Sequence, residues 1–400
     1  MTLRALVVAV ALSASSAAAA YDGCGVLKAR VDEIAGDGPL FLRSFDHADG
    51  AGPAAEPALN AAFTYDNALA VIALVACGAP ERASRIGRGL LAAIAFDRAG
   101  PYARLRNAYR PGALVERPVP PMGWWSDREK MWIEDPYQVG TATGNVAWAA
   151  LALLTMHDAT GAPEWRSAAE KLAVWAITHT ATSNGHTGGI FGDGPNAQPL
   201  SWKSTEHNLD LAAVFLWLAR SEADWRNKAE HIIHGLLEVL WDDRVGRFAT
   251  GTTLEGGVTP NWATSGLDAQ LWPVLLPDAP AMWARAIAYA ERAHGVAGGF
   301  DFNDDRDGLW VEGTAQAALV YRVLGRAAEA DKLLAEVERH QSSGGYLFAT
   351  REPEITTGLA ISPASTTDDF RYYRRPHLAA TAWAVLARER WNPFTGKRLP

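Results

Sequence analysis

Cysteine is almost missing from this chain: Cys24 and Cys77 are the only two in 400 residues. Charge is thinly spread, at 20% of residues, and no block of like charges occurs. Lysine and arginine (37) fall short of aspartate and glutamate (45), for a formal net charge of −8. That balance argues against a nucleic-acid partner, because such binding depends on cations neutralising phosphates. It also disfavours strongly anionic polysaccharides, unless a local basic patch overrides it. No CxxC, HExxH, P-loop, GxGxxG or GxSxG pattern is present. Metalloprotease, redox, nucleotide-binding and serine-esterase chemistry are therefore without sequence support, and no cofactor is expected.

The one long small-and-apolar run is at the start. MTLRALVVAVALSASSAAAA has a single Arg4, an apolar stretch and Ala18-Ala19-Ala20 before Tyr21, the pattern of a cleaved secretory signal. It is too short for a membrane span, and Cys24 is not placed for a lipid anchor. The expectation is a signal peptide over 1–20 and a single catalytic domain over 21–400. The mature protein would be periplasmic or secreted, monomeric and without a membrane anchor. Export permits a disulfide between Cys24 and Cys77; two buried free thiols are the alternative.

What the chain has in quantity is apolar helix. Six segments begin with a polar or charged turn and continue apolar on nearly every face. They start at Thr64 (TYDNALAVIALVACG), Thr143 (TGNVAWAALALL), Thr205 (TEHNLDLAAVFLWLA), Ser265 (SGLDAQLWPVLL), Trp310 (WVEGTAQAALVYRVLG) and Pro376 (PHLAATAWAVLA). A helix apolar all round must be buried all round. Between them lie amphipathic segments starting at Glu81, Pro163, Ala223, Ala279 and Arg326, with apolar residues at three- and four-residue steps. A sixth outer helix is expected near CGVLKARVDEIA, beside the last inner one. The inner segments recur at roughly 45 to 80 residues, too unevenly for an open solenoid of identical units. The pattern predicts an all-α toroid of six inner and about six outer helices. Long loops rich in Gly, Pro, Trp and Asp precede the inner helices, and loops of that length without secondary structure are usually functional or disordered.

The segments TYDNALA, TGNVAWAALALL, STEHNLD, LDAQLW and WVEGTAQAAL, in this alternation, resemble the six-hairpin, (α/α)6-toroid glycosidases over nearly the whole mature chain. No single family's catalytic motif is matched, so the resemblance transfers no residue by position. It implies carbohydrate chemistry, most often inverting hydrolysis of a glycan. The same toroid also serves epimerases, lyases and terpene cyclases, and a fold does not fix a function.

Glycoside hydrolysis needs two carboxyl groups, one protonated and one ionised. Five acids stand near the starts of inner helices: Asp66, Glu206, Asp210, Asp268 and Glu312. Glu312, among Trp310, Val311 and Ala315, should be desolvated and its pKa raised. Glu206 and Asp210 share a helix face, so each can shape the other's ionisation. The bland alternative for all five is a carboxylate complementing a helix dipole or a cap. At least one of Glu206 and Glu312 is expected to be the general acid, with Asp66, Asp210 or Asp268 as bases.

Sixteen tryptophans offer flat faces for sugar rings. Trp124, Trp125, Trp132 and Tyr137 cluster in one loop, and Trp202, Trp262 and Trp310 precede inner helices. These are expected to bind substrate, together with His207, Arg371, Tyr372 and His377. Trp148, Trp217, Trp272 and Trp383 are expected in the core. Asp301, Asn303, Asp305, Asp307 and Glu312 have the ligand spacing of a calcium loop, but Arg306 stands where a sharp turn wants glycine. An acidic rim without metal is the better reading. The sequence therefore points to a secreted glycoside hydrolase, endo-acting and β-glucanase-like. A polysaccharide lyase using the Arg371–His377 segment, or an inactive glycan-binding protein, is the alternative.

Overall fold

The computed structural model describes residues 21–46, 60–97, 104–115, 123–126, 128–255, 257–368 and 370–400. The N-terminal segment read as a signal lies outside them. The inner helices are α2 (Thr64–Ala76), α4 (Thr143–Thr160), α6 (Thr205–Leu218), α8 (Leu267–Leu271), α10 (Val311–Val323) and α12 (Leu378–Arg388). The outer ones are α1 (Gly23–Asp32), α3 (Pro80–Phe96), α5 (Pro163–Thr180), α7 (Asp224–Ile232), α9 (Arg285–Ala293) and α11 (Ala327–Val337).

Each inner helix packs on the next, and α12 packs on α2, so the ring closes. Helix α1 lies against both α12 and α2, which is where the N-terminal outer helix was expected. The inner helices are buried as their composition requires: α4 is buried from Thr143 to Met156 except at Asn145. Outer helices bury one stripe, as α3 does with Ala83, Ile86, Leu90 and Ala93. Pro80 and Pro163 open α3 and α5 at the position where a missing N–H costs nothing. The Cys24–Cys77 disulfide ties α1 to the end of α2.

Two hydrogen bonds recur around the ring and set the height of each inner helix. The first backbone N–H of every inner helix donates to a loop carbonyl. The pairs are Thr64 to Asn107, Thr143 to Gly188, Thr205 to Thr250, Leu267 to Phe302, Val311 to Ala349 and Leu378 to Ser44. The last of these joins chain end to chain start. Three residues into five of the helices, a buried polar side chain grips another loop's backbone. Asn67 brackets the N–H and carbonyl of Leu42, Asn208 those of His186, and Gln270 those of Phe248. Thr314 and Thr381 accept from the N–H of Phe300 and Leu347. These bonds satisfy groups that burial would otherwise leave unpaired.

Two segments depart from the sequence expectation. The helix expected from Ser265 is cut to Leu267–Leu271 and tightens into a 3₁₀ turn over Trp272–Leu275, because Pro273 cannot donate the next bond. The outer helix expected from Ala223 passes through a π-turn at Ile233–Leu237. The far end of the ring is filled by Trp148, Trp272 and Trp383, whose rings meet at 5.4 to 5.9 Å. Phe394, from the C-terminal hairpin of Trp391–Asn392 and Lys397–Arg398, packs on Trp148 and Trp272. The ring is plugged below and open above.

Among the described residues, no helix is long and apolar enough to cross a membrane.

Candidate active site

The open end holds a cavity of about 520 Å³, within the range of small-molecule sites. Because all the inner helices start at this end, their first turns line it. They contribute Tyr65 and Asp66 from α2, Gly144 and Asn145 from α4, Glu206 and His207 from α6, Asp268 from α8 and Glu312 from α10. His377 and the strand Phe370–Tyr373 before it complete the wall with Tyr372, Arg371 and Arg375. Of the five acids singled out in the sequence, four line the cavity. Asp210 does not. It is fully buried one turn below Glu206, so its candidacy as the base is corrected.

The orientation of Glu312 follows from two indoles, which can only donate. Trp383 Nε1 donates to the Tyr65 hydroxyl (2.8 Å), so that hydroxyl sends its own proton to Glu312 Oε1 (2.7 Å). Trp272 Nε1 donates to Gln316 Oε1 (3.0 Å), which leaves the Gln316 amide NH₂ facing Glu312 Oε1 at 3.5 Å. The other oxygen, Oε2, lies 3.6 Å from His377 Nδ1, while His377 Nε2 is 3.4 Å from Asp66 Oδ2. Phe45 stacks on the imidazole, its plane 3° from parallel and 4.5 Å away. His377 thus stands as a bridge between two buried carboxylates.

The electrostatics separate the acids. Burial pushes Glu312 up to about 7, although His377, Tyr65 and Gln316 all favour its ionised form. Burial and then the charge of Glu312 push Glu206 up to about 7, and no donor works in the opposite direction. Glu206 is packed deep yet keeps part of its surface open to the cavity. Burial, reinforced by neighbouring acids, raises the pKa of Asp210 and of Asp268 well above the usual carboxylate range. For His377, burial works against protonation, but Asp66 and Glu312 outweigh it and raise its pKa. Burial depresses His207 to about 4. One glycine is needed here: a Cβ on Gly144 would lie 2.4 Å from the His207 ring.

Beyond the His377 ion pairs, three buried polar atoms facing this end have no hydrogen-bond partner among the described residues: Asp268 Oδ1, His207 Nδ1 and Trp310 Nε1. Buried polar groups are normally paired, so a set converging on one cavity marks a place for a ligand rich in hydroxyls. Aromatic faces stand beside them. Trp310 contacts Phe302 (4.9 Å) and Tyr372 (5.5 Å), and Tyr372 contacts Phe370 (5.4 Å).

Of the expected substrate-binding residues, Tyr137, His207, Trp310, Arg371, Tyr372 and His377 line the cavity. Trp125, Trp132, Trp202 and Trp262 do not. Trp125 and Trp132 pack on each other across a hairpin, with Arg110 over Trp132. Trp202 backs His207 at 5.8 Å, and Arg247 covers Trp262. The side chain of Trp124 lies outside the described residues. Arg371 pairs with Glu354 at 2.7 Å, which weakens the case for it as a lyase's charge neutraliser. Trp148, expected purely in the core, also reaches the cavity floor. The calcium-loop set is not assembled: Asp301, Asp305 and Asp307 converge, but Glu312 points into the cavity. Those three aspartates accept hydrogen bonds from Phe302, Gly308, Asp307 and Thr356.

Sequence reasoning passed over Tyr65, although it stands beside Asp66 in TYDNALA. The available signal was a hydroxyl within the first turn of an otherwise apolar helix.

No protein-family model matches the sequence, and no curated protein does. Solved structures do match. A wild-type glycosidase is 12% identical over 92% of this chain and 95% of its own, with a TM-score of 0.58. The cellobiose 2-epimerase of Bacillus thermoamylovorans is 11% identical over 92% and 98%, with a TM-score of 0.61. An α-amylase from Clostridium perfringens is 10% identical over 92% and 97%, with a TM-score of 0.58. The fold shared with these structures is an (α/α)6 toroid. At these identities the likeness concerns the fold alone, and it spans hydrolases and epimerases alike.

Proposed function

We propose that this protein is a carbohydrate-active enzyme that hydrolyses a glycosidic bond, exported from the cell by its N-terminal segment. The observation that carries the reading is the pair Glu206 and Glu312, both held near a pKa of 7 in one aromatic-walled cavity with unpaired polar atoms. Two interacting carboxyls of that kind share their protons, and the pair titrates as a unit around neutrality. The donors around Glu312 stabilise its anion; Glu206 has no such donors and holds the proton. Glu206 therefore delivers its proton to the leaving oxygen as that bond breaks, while ionised Glu312 accepts a proton from the water whose oxygen bonds to the anomeric carbon, and its charge stabilises the oxocarbenium-like transition state. Asp268, whose Oδ1 lacks a partner, and the unpaired indole of Trp310 offer hydrogen bonds to sugar hydroxyls. Tyr372, half-buried on the cavity wall, supplies a stacking face.

A panel led by β-glucan oligosaccharides, with other glycans beside them, tests the activity through release of reducing ends. Glu206→Gln should lower kcat by orders of magnitude on natural linkages and recover much of it on an activated aryl glycoside, whose leaving group needs no proton. Glu312→Gln should lose activity on both. Normal turnover in both folded variants would sink the assignment.

A second reading has one observation in its favour. His207 and His377 line the same cavity, one neutral and one with a raised pKa, a base and an acid suited to epimerising a reducing sugar. Uptake of solvent deuterium into an intact disaccharide, with no hydrolysis, would decide for it.

A further inference from the structure

The cavity is ringed by acids, and among its lining residues Arg375 is anomalous. Two arginines line it. Arg371 is ion-paired to Glu354. Arg375 has no ion pair and no side-chain hydrogen bond among the described residues, and its Nε is buried without a partner. Its position is not loose. The Arg375 carbonyl accepts from Ala349 N–H (2.8 Å), and its own N–H donates to Tyr373 (2.7 Å), two residues before His377. The next residues, Pro376 and His377, pair with Phe348 and Leu347. The backbone is thus fixed while the guanidinium is left without a counter-charge.

A partly buried guanidinium in that state carries a desolvation cost that an anion would offset. Burial alone lowers its pKa, with no carboxylate acting in the opposite direction. Two buried arginines elsewhere in this fold are matched by carboxylates: Arg106 by Asp97 and Asp193, Arg104 by Asp193. Lining side chains that touch a ligand are the places where a protein leaves such groups open, and a planar guanidinium suits a carboxylate or sulfate through two parallel bonds.

We infer that Arg375 is a specificity residue that receives a single anionic substituent, a carboxylate or a sulfate, on the sugar bound in this cavity. This rests on the carbohydrate reading above and narrows it. One anionic group per binding unit is compatible with the acidic remainder of the site, because Arg375 carries the charge that would meet it and the acids carry none of that sign.

The test is binding, measured by calorimetry on the Glu206→Gln protein so that turnover does not intrude. Three matched disaccharides serve as probes: one ending in glucuronic acid, one in 6-sulfated glucose and one in plain glucose. The expected result is binding at least tenfold tighter for one of the anionic probes than for the neutral one, and which of the two it is separates carboxylate from sulfate. Adding Arg375→Gln should bring the anionic and neutral probes within twofold of each other. Adding Arg375→Lys should retain part of the preference and weaken it more for the carboxylate. Equal binding of charged and neutral probes, a preference that survives Arg375→Gln, or binding of none of the three would overturn the inference. Turnover by the unmodified protein reads the other question separately. Hydrolysis of neutral glycans without anionic preference defeats this inference alone, and anionic binding without hydrolysis defeats the proposed reaction alone.

Discussion

Replacing Tyr65 by phenylalanine removes one hydroxyl and tests the logic of the acid pair. In the native site that hydroxyl receives the Trp383 N–H and gives its own proton to Glu312 Oε1. A hydrogen bond to a charged group contributes about 1.5–3 kcal/mol. One pKa unit corresponds to about 1.36 kcal/mol, so removing a donor that favours the anion should raise the Glu312 pKa by about 1–2 units. If Glu312 acts ionised, the acidic limb of the pH–rate profile moves upward by that amount, and kcat/KM below neutrality falls by about 10- to 100-fold. The basic limb, set by Glu206, should stay or rise slightly. Stability should also drop by about 1–3 kcal/mol, because the buried Trp383 N–H loses its acceptor, so urea denaturation must be run alongside. A merely structural role for Tyr65 would lower stability and leave the pH limbs in place. An acidic limb that stays put, or moves to lower pH, refutes the assignment of Glu312 as the ionised partner.

Two further outcomes concern Asp210, one turn below Glu206, and the disulfide. Asp210 has a folded-state pKa well above its unfolded value, so the folded protein binds the extra proton and loses stability as pH rises above the unfolded value. Asp210→Asn should therefore stabilise the protein against urea at pH 8 and do so progressively less as pH falls toward 4; a benefit independent of pH would contradict this. The Cys24–Cys77 bridge closes a 53-residue separation, for which the chain-entropy model gives about 4 kcal/mol. Cys24→Ser with Cys77→Ser should lower the Tm by several degrees while activity at low temperature is retained.

The pattern of six apolar helices was legible from composition because a helix without a polar face has only one place to go. The same reasoning placed the N-terminal outer helix and put acids at the mouth. It could not separate two uses of a buried polar group in the first turn. Asn67, Asn208, Gln270, Thr314 and Thr381 all grip loop backbone, whereas Asp66, Glu206, Asp268 and Glu312, one or two positions earlier, face the cavity. Only a difference of about 100° per residue around the helix axis separates these roles. Once known, that offset is a readable signal. Asp210, one turn further down, shows the limit: it shares a face with Glu206 but lies too deep for any ligand to touch.

The sequence alone therefore determined the class of fold, because burial of apolar surface is a property of local pattern summed along the chain. It also determined which residue types crowd the mouth. Which of the loop tryptophans line the cavity and which lie under an arginine was decided by the tertiary structure, since the sequence places both kinds in similar segments before inner helices. The direction of the Tyr65 proton, the bridging of Asp66 and Glu312 by His377, and the lack of a counter-charge at Arg375 were decided there too. Each depends on side chains brought together from helices up to about 300 residues apart in sequence, and electrostatic coupling acts over a few ångströms of space rather than along the chain.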